Sequence, residues 1–394
     1  MKFSSIGRAS LASLLSLSAC LGVTACSRNY TVAFLYSLGT KNAAGVVNVF
    51  HVDYQSGALL QLPDSPVDAG GQNPVALVTT SDQKDMFVAL QNDHKIQPFH
   101  IGTDGKLYAH DEKSLIGSFP VAIALSADNK FLYVLTRLRG SATSGAGSVE
   151  VYPVDANSRA LGTGTAFNVG LNPVGLVASA DNKFVYVIHR DPATTQNLIA
   201  FSRDTGTGAL TALPNSHITA TNAIGYQSGI EPAGIVEDPK ARYIYVTDRA
   251  ANQLIGYTLN SIGEPVPMNN GPYSTGSYPL GVTIDPRGKY VYVANFNANS
   301  ISAYAIDAGT GNLSLSVGSA TTQTGTGPTC VTIENALGIY LYTTNQLDSN
   351  ITGKQLNAST GALKDIQGTP FPTSTLPSCA VAVANGEHAT QIVQ

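Results

Sequence analysis

Three arginine-bearing segments stand at matching places in this sequence, each just after a run of β-branched and aromatic residues: Arg137 with Arg139, then His189-Arg190-Asp191, then Asp248-Arg249. Glu231 precedes Pro232, ahead of the third run. These residue types suit hydrolysis of an acyl compound, which needs a base to activate water and a cationic or hydrogen-bonding group to hold the carbonyl oxygen as charge develops. His189 is the candidate base, because histidine titrates near neutral pH. Arg190, Arg137 or Arg249 is the candidate to hold the oxyanion, or a ligand carboxylate bidentately. Glu231 or Asp191 is the candidate to orient the imidazole. Later repeats place Asn295, Asn297, Asn345 and Gln346 at the corresponding positions, so a charged sector adjoins an amide sector.

Each of these residues also has a plainer role. Asp248 and Asn295 occupy equivalent strand ends, where a short polar side chain caps a turn by bonding nearby backbone N–H groups; for both, structure outweighs function. His189 reads equally as a rim histidine. Arg137, Arg139, Arg190 and Arg249 read as loop arginines that pair with neighbouring carboxylates to little energetic effect.

The elements that position these residues are legible as a repeat. A proline, an apolar run, an Asp/Asn/Lys/Gly turn, an aromatic-rich strand and a Thr-Gly-x-Leu turn recur about every fifty residues. The clearest copies run from Pro173 to Tyr186-Val187, from Pro232 to Tyr245-Val246 and from Pro279 to Tyr292-Val293, and weaker ones start at Pro74, Pro120, Pro328 and Pro377. In one unit, Leu280 to Asp285 and Tyr290 to Val293 are strands joined by the tight turn 286–289, Ser300 to Ile306 is a third, and Leu313 to Val317 is a fourth after the Gly309 and Gly311 turn. Four antiparallel strands at this period describe a propeller blade, and no segment sustains helical periodicity. The seventh unit lacks its later strands after Ala380 to Ala384, whereas Thr31 to Tyr36, Val46 to Val52 and the turn at Ser56-Gly57-Ala58-Leu59 lack a first. The expectation is an all-β, seven-bladed propeller of four-stranded antiparallel blades, its ring closed by a blade shared between the N- and C-termini. The tail His388 to Gln394 is a second contender for the place of Tyr30 to Tyr36.

The segments Tyr290-Val291-Tyr292-Val293-Ala294-Asn295 and Tyr243-Ile244-Tyr245-Val246-Thr247-Asp248 resemble the YVTN-type propeller repeat. The seven-unit layout resembles the lactonase family of seven-bladed propellers, which includes 6-phosphogluconolactonases and the fungal carboxymuconate lactonising enzyme. The resemblance spans residues 30–394 and implies a lactone hydrolase with His, Glu and Arg at the channel mouth. The sequence departs from that pattern in one respect. Lactonases of this kind place histidine directly after the blade-opening proline, as Pro-Arg-His or Pro-His, whereas those positions here read Val75-Ala76, Val121-Ala122, Val174-Gly175, Ala233-Gly234, Leu280-Gly281, Thr329-Cys330 and Ser378-Cys379. The first expectation is therefore a binding or scaffold module acting on a protein, glycan or small ligand through its loop face, and the alternative is a lactone hydrolase.

Residues 1–26 read as an export signal: Lys2 and Arg8 precede an apolar stretch from Ala9 to Ala19 that is too short for a membrane span. Cys20 and Cys26 each follow small residues in the manner of a lipobox, and Cys26, followed by Ser27-Arg28-Asn29, is the favoured acylation site. This gives a propeller over 27–394, held in the periplasm or cell envelope by lipid alone. Net charge is −4, charged residues are 12% and no basic run occurs, which argues against nucleic acid as a partner. A monomer is expected. No metal motif of the HExxH, CxxC or calcium-loop type is present, and no cofactor is implied. Cys330 and Cys379 sit at the same place in adjacent units, either paired across neighbouring blades in an oxidising compartment or buried singly as small hydrophobes.

Overall fold

The computed structural model describes residues 30–140, 144–219, 221–316, 321–373 and 375–385. These residues form seven antiparallel sheets of four main strands, with no helix among them. Five sheets carry an extra short strand, and one hairpin, His217–Ile218 with Ala223–Ile224, stands apart. The seven inner strands pack side by side in a closed ring, as expected for a propeller. Blade 1 is shared between the two ends of the chain, and blades 2 to 7 follow in sequence, opened by Pro74, by Ser118 just before Pro120, and by Pro173, Pro232, Pro279 and Pro328.

Blade 6 shows why the repeat folds as it does. Its strands are Pro279–Ile284, Tyr290–Asn295, Ser300–Ile306 and Leu313–Leu315, within two residues of the sequence expectation, with Val317 outside the described residues. Asp285 caps the first turn, its carboxylate accepting the N–H groups of Lys289 at 2.6 Å and Tyr290 at 2.7 Å. Asp307 caps the second, accepting from Gly309 at 3.1 Å and Thr310 at 2.8 Å. Gly311 ends that turn at a φ of 75°, and a Cβ there would lie 2.5 Å from the Tyr243 ring of blade 5.

The two halves of the repeat meet across blades. Tyr245 of blade 5 donates its hydroxyl to the Gly311 carbonyl of blade 6 at 2.6 Å, and Tyr292 of blade 6 does the same to Gly361 of blade 7 at 2.9 Å. Tyr186 reaches Gly263 at 2.9 Å, Tyr36 reaches Gly105 at 2.8 Å, and Tyr342 reaches Gly57 of blade 1 at 2.6 Å. The aromatic strand and the glycine of the neighbouring blade's hairpin turn are thus two ends of one inter-blade hydrogen bond. Hydrophobic clusters fill the space around these bonds: Tyr243 and Tyr245 pack with Val291 and Val293, each side chain contributing about 1.5–3 kcal/mol on burial.

Ring closure follows the predicted shared blade. Thr31–Lys41 pairs with Ala44–Asp53 on one side and Leu376–Ala384 on the other, so Phe34 lies opposite both His51 and Val383. The tail His388 to Gln394 and the N-terminal segment with Cys20 and Cys26 lie outside the described residues. Cys330 and Cys379, on the inner strands of blades 7 and 1, are disulfide-bonded with their Cα atoms 5.0 Å apart. Inner strands of all seven blades line a central channel of about 310 Å³, walled by apolar and small residues such as Val75, Ala122, Gly234 and Val331.

Candidate functional site

One register governs which side chains reach the mouth of the ring. In blades 4 to 7 the last residue of the second strand pairs opposite the proline that opens the blade: His189 with Pro173, Asp248 with Pro232, Asn295 with Pro279, Asn345 with Pro328. This position is a buried slot, and His189, Asp248, Asn295 and Asn345 are all fully buried. A glycine faces each slot. A Cβ at Gly170 would run into His189, at Gly229 into Asp248, at Gly276 into Asn295 and at Gly325 into Asn345. The following residue turns out to the rim, its N–H donating to the carbonyl of the residue before the proline. Such bonds join Arg190 to Asn172 at 3.0 Å, Arg249 to Glu231 at 3.1 Å, Phe296 to Tyr278 at 2.9 Å and Gln346 to Gly327 at 3.0 Å.

Apart from His189, the slot side chains are engaged by polar groups around them. Asp248 accepts the N–H groups of Ile230 and Glu231, each at 3.0 Å, together with the Gln253 side chain at 3.1 Å. Asn295 donates to the hydroxyls of Ser300 at 3.2 Å and Ser302 at 2.9 Å. Asp191 belongs with them in effect: buried, it accepts the Ala193 N–H at 2.9 Å, while its own N–H is held by Asn197 at 3.0 Å. The structure therefore places Asp191 and Asp248, candidates for orienting or binding roles from the sequence, in support of nearby backbone, and Asn295 against the hydroxyls of Ser300 and Ser302.

His189 differs from the sequence expectation most. Its ring is fully buried, and neither nitrogen has a hydrogen-bond partner among the described residues. Burial pushes its pKa down to about 4, against the opposing pull of Asp191. No carboxylate orients the imidazole, and no solvent reaches it. A base must exchange protons with water and substrate, and this position allows neither.

The rim residues do converge. A cavity of about 880 Å³ opens between blades 3, 4 and 5, lined by Arg137, Arg190 and Glu231 among others. Arg137 is exposed and its guanidinium has no hydrogen bond or ion pair among the described residues; Arg139, also exposed, lies off the cavity. Arg190 is anchored by a bond from its Nε to the Pro232 carbonyl at 2.7 Å. Burial, reinforced by the nearby Arg249 cation, pushes its pKa down to about 10, so it stays charged at neutral pH in a site short of negative charge. Glu231 accepts Arg249 Nε at 2.8 Å, and the Arg249 guanidinium lies over the Tyr278 ring, 5.0 Å from its centre. Amide and hydroxyl groups complete the wall: Asn172, Thr194, Gln196 and Gln227. These the sequence reading passed over, although Asn172 stands before Pro173 as Glu231 stands before Pro232. Among the described residues no cluster of His, Cys, Asp and Glu fit to hold a metal ion occurs.

The family described as Lactonase, 7-bladed beta-propeller, matches residues 109–224 and 215–333, together more than half of the chain. This chain belongs to that family. Among solved structures, a putative 6-phosphogluconolactonase from Bacteroides fragilis is similar at 18% identity, covering 91% of this chain and 99% of its own, with a TM-score of 0.72. The periplasmic gluconolactonase PpgL of Pseudomonas aeruginosa is similar at 17% identity, covering 90% and 100%, also with a TM-score of 0.72. No curated protein sequence matches. At these identities the structural likeness speaks to the fold alone. In blades 5 and 6 the second residue after the blade-opening proline has no room for a side chain: a Cβ at Gly234 would strike the Leu280 carbonyl, and one at Gly281 would lie 2.7 Å from the Thr329 carbonyl.

Proposed function

We propose that the protein hydrolyses lactones carrying a negative charge, in the cavity between blades 3 and 5. The observation that carries this reading is that Glu231 shares the cavity with Arg137 and Arg190, on a chain of the lactonase family. Arg190 and Arg137 bind the anionic group and the carbonyl oxygen, and their charge meets the oxyanion as it forms. Glu231 takes a proton from water, the resulting hydroxide attacks the carbonyl carbon, the ring C–O bond breaks, and Glu231 returns the proton to the departing alkoxide. Arg249 fixes the Glu231 carboxylate for this role. The structures of a periplasmic gluconolactonase and a putative 6-phosphogluconolactonase support the substrate class by likeness of fold.

Proton release measured at constant pH against sugar and aliphatic lactones tests this reading, with Glu231→Gln and Arg190→Ala alongside. Saturable turnover that both substitutions cut by about 100-fold or more supports it. Wild-type rates equal to those without enzyme on every lactone would sink it.

The second reading is binding without turnover, as a lipid-anchored module of the envelope. It is favoured by the burial of His189 and by the engagement of Glu231 with Arg249. Export and acylation at Cys26 rest on the charged and apolar pattern of residues 1–26. Mass spectrometry of the mature N-terminus tests them, and an unmodified chain beginning before Cys26 would refute the anchor.

A further inference from the structure

Beside the cationic cavity the rim changes character. Blade 6 fills its rim pair with Tyr278 and Phe296, whose ring centres lie 6.1 Å apart. In blade 7 the equivalent pair is Gly327 and Gln346, and Leu347 follows with 60% of its surface exposed. Leu347 and Phe296 flank Gly327, since a Cβ there would lie 2.7 Å from one and 3.1 Å from the other. Ile230, in the cavity wall itself, is also 60% exposed. Arg249 connects the two regions, pairing with Glu231 on the cavity side and lying over Tyr278 on the other. Arg249 therefore stands between Glu231 of the cavity wall and the apolar surface of blades 6 and 7.

Tyr278 is costly where it stands. Its φ is 59°, in the left-handed region that bulky residues avoid; the same backbone requirement is met by Asn73 at 51° in blade 2, Phe119 at 58° in blade 3, Asn172 at 50° in blade 4 and Gly327 at 67° in blade 7. Glycine, asparagine and aromatic residues all stand at this place around the ring, and here the Tyr278 ring is half-buried against Phe296 and the Arg249 guanidinium.

Resting on the proposed cavity, we infer that Tyr278, Phe296 and Leu347 form a ledge for an apolar or aromatic substituent of the ligand, so that its class is an amphipathic anion, a lactone bearing an acyl or aryl group, rather than a bare sugar lactone. The anion meets Arg137 and Arg190, and the substituent runs past Ile230 and Arg249 onto the Tyr278 ring. Apolar area removed from water on both surfaces supplies the preference.

Titration calorimetry with octanoate and with acetate tests the ledge independently of turnover, because neither anion is hydrolysed. Octanoate is expected to bind at least about tenfold more tightly than acetate, the equivalent of two fully buried methylenes. Tyr278→Gly, matched to the blade 7 backbone, and Leu347→Ser are expected to bring the preference down to about twofold or less, while Tyr278→Phe keeps it. Equal affinities in the wild type, no binding of either anion, or a preference that survives both substitutions would overturn the ledge. An octanoate preference in a protein that turns over no lactone removes only the hydrolase reading. Hydrolysis of sugar lactones without regard to chain length removes only the ledge.

Discussion

The carboxylate of Asp248 holds the backbone of Glu231, accepting its N–H at 3.0 Å and that of Ile230 at the same distance. A buried slot residue thereby sets the place of a rim residue with which it shares no side-chain bond. Asp248 is fully buried and also accepts from Ala250 at 3.2 Å and Gln253 at 3.1 Å. Replacement by alanine leaves those donors without their acceptor, and Asp248→Ala is expected to lose about 3 kcal/mol or more of stability. Urea unfolding checks the loss. If Glu231 does the chemistry proposed, kcat/KM on lactones falls in the same variant, and an unchanged unfolding midpoint would show that Asp248 supports nothing.

A buried histidine and a half-buried glutamate tie stability to pH with opposite signs. Burial pushes the His189 pKa from 6.5 down to about 4, so between those values the unfolded chain holds a proton that the folded one does not. Its contribution is complete above about pH 6.5 and is lost as pH falls toward 4, by up to about 3 kcal/mol. Burial pushes Glu237 from 4.5 up to about 7, with Asp181 and Asp238 adding to the rise and the Ala180 N–H opposing it. There the folded chain holds the extra proton, and stability is lost as pH rises from about 4.5 to 7, by a similar amount. In the wild type the two slopes offset over most of that range. Leu90 fills the equivalent slot of blade 2, opposite Pro74, so leucine is the natural replacement for His189. His189→Leu is expected to fold, to keep ligand binding, and to lose stability steadily as pH rises from 4.5 to 7. Glu237→Gln is expected to show the reverse slope. Denaturant midpoints from pH 4.5 to 8 read both, and parallel profiles for all three proteins would refute the assignment.

The blades were legible in the sequence because each part of the repeat has a local physical cause. Turn carboxylates such as Asp285 and Asp307 cap the backbone N–H groups just beyond them, the Gly311 turn needs a left-handed residue, and β-branched and aromatic runs make the strands between. The missing strands of the last unit and the unopened first unit gave the shared blade on the same grounds. Of the charged residues singled out in the sequence, Arg137, Arg190 and Glu231 line one cavity, whereas Arg139, Asp191 and Asp248 do not. What misled was a single residue of register. His189 follows Tyr186-Val187-Ile188 as Asp248 follows Tyr245-Val246-Thr247 and Asn295 follows Tyr292-Val293-Ala294. Reading Asp248 and Asn295 as structural already described the slot, and the same alignment puts His189 inside it. The tempting chemistry of an imidazole hid an equivalence that the repeat spelled out. The apolar neighbours Tyr278 and Leu347 were missed for a different reason, since which residue turns to the rim depends on pairing opposite the proline, which composition does not reveal.

Closure of the ring is where a propeller assembled from two chain ends is most exposed to opening. The inner strand of blade 1, Leu376–Ala384, is held by pairing with Thr31–Lys41 and by the bond from Asn385 Nδ2 to the Thr31 carbonyl at 2.9 Å. As a strand near one end of the described fold, it can leave its sheet without unfolding a blade behind it, which makes it a low-cost local opening. The Cys330–Cys379 disulfide ties that strand to blade 7 across a sequence separation of 49. On a loop of this length the chain-entropy account gives a stabilisation of about 4 kcal/mol, acting through the unfolded state. Its local effect is separate: with the tie cut, the strand can leave alone. The double variant Cys330→Ser with Cys379→Ser is therefore expected both to unfold at lower denaturant and to exchange amide hydrogens faster in residues 31–41 and 376–384 than in the inner strands of blades 3 to 6. Faster exchange spread evenly over all blades would mean that the disulfide acts only on global stability. A midpoint unchanged from the wild type would mean that the paired strands close the ring unaided. Because thiols persist in the cytosol and pair outside it, the same comparison between reduced and oxidised wild-type protein also measures how much of this stability depends on the export proposed from residues 1–26.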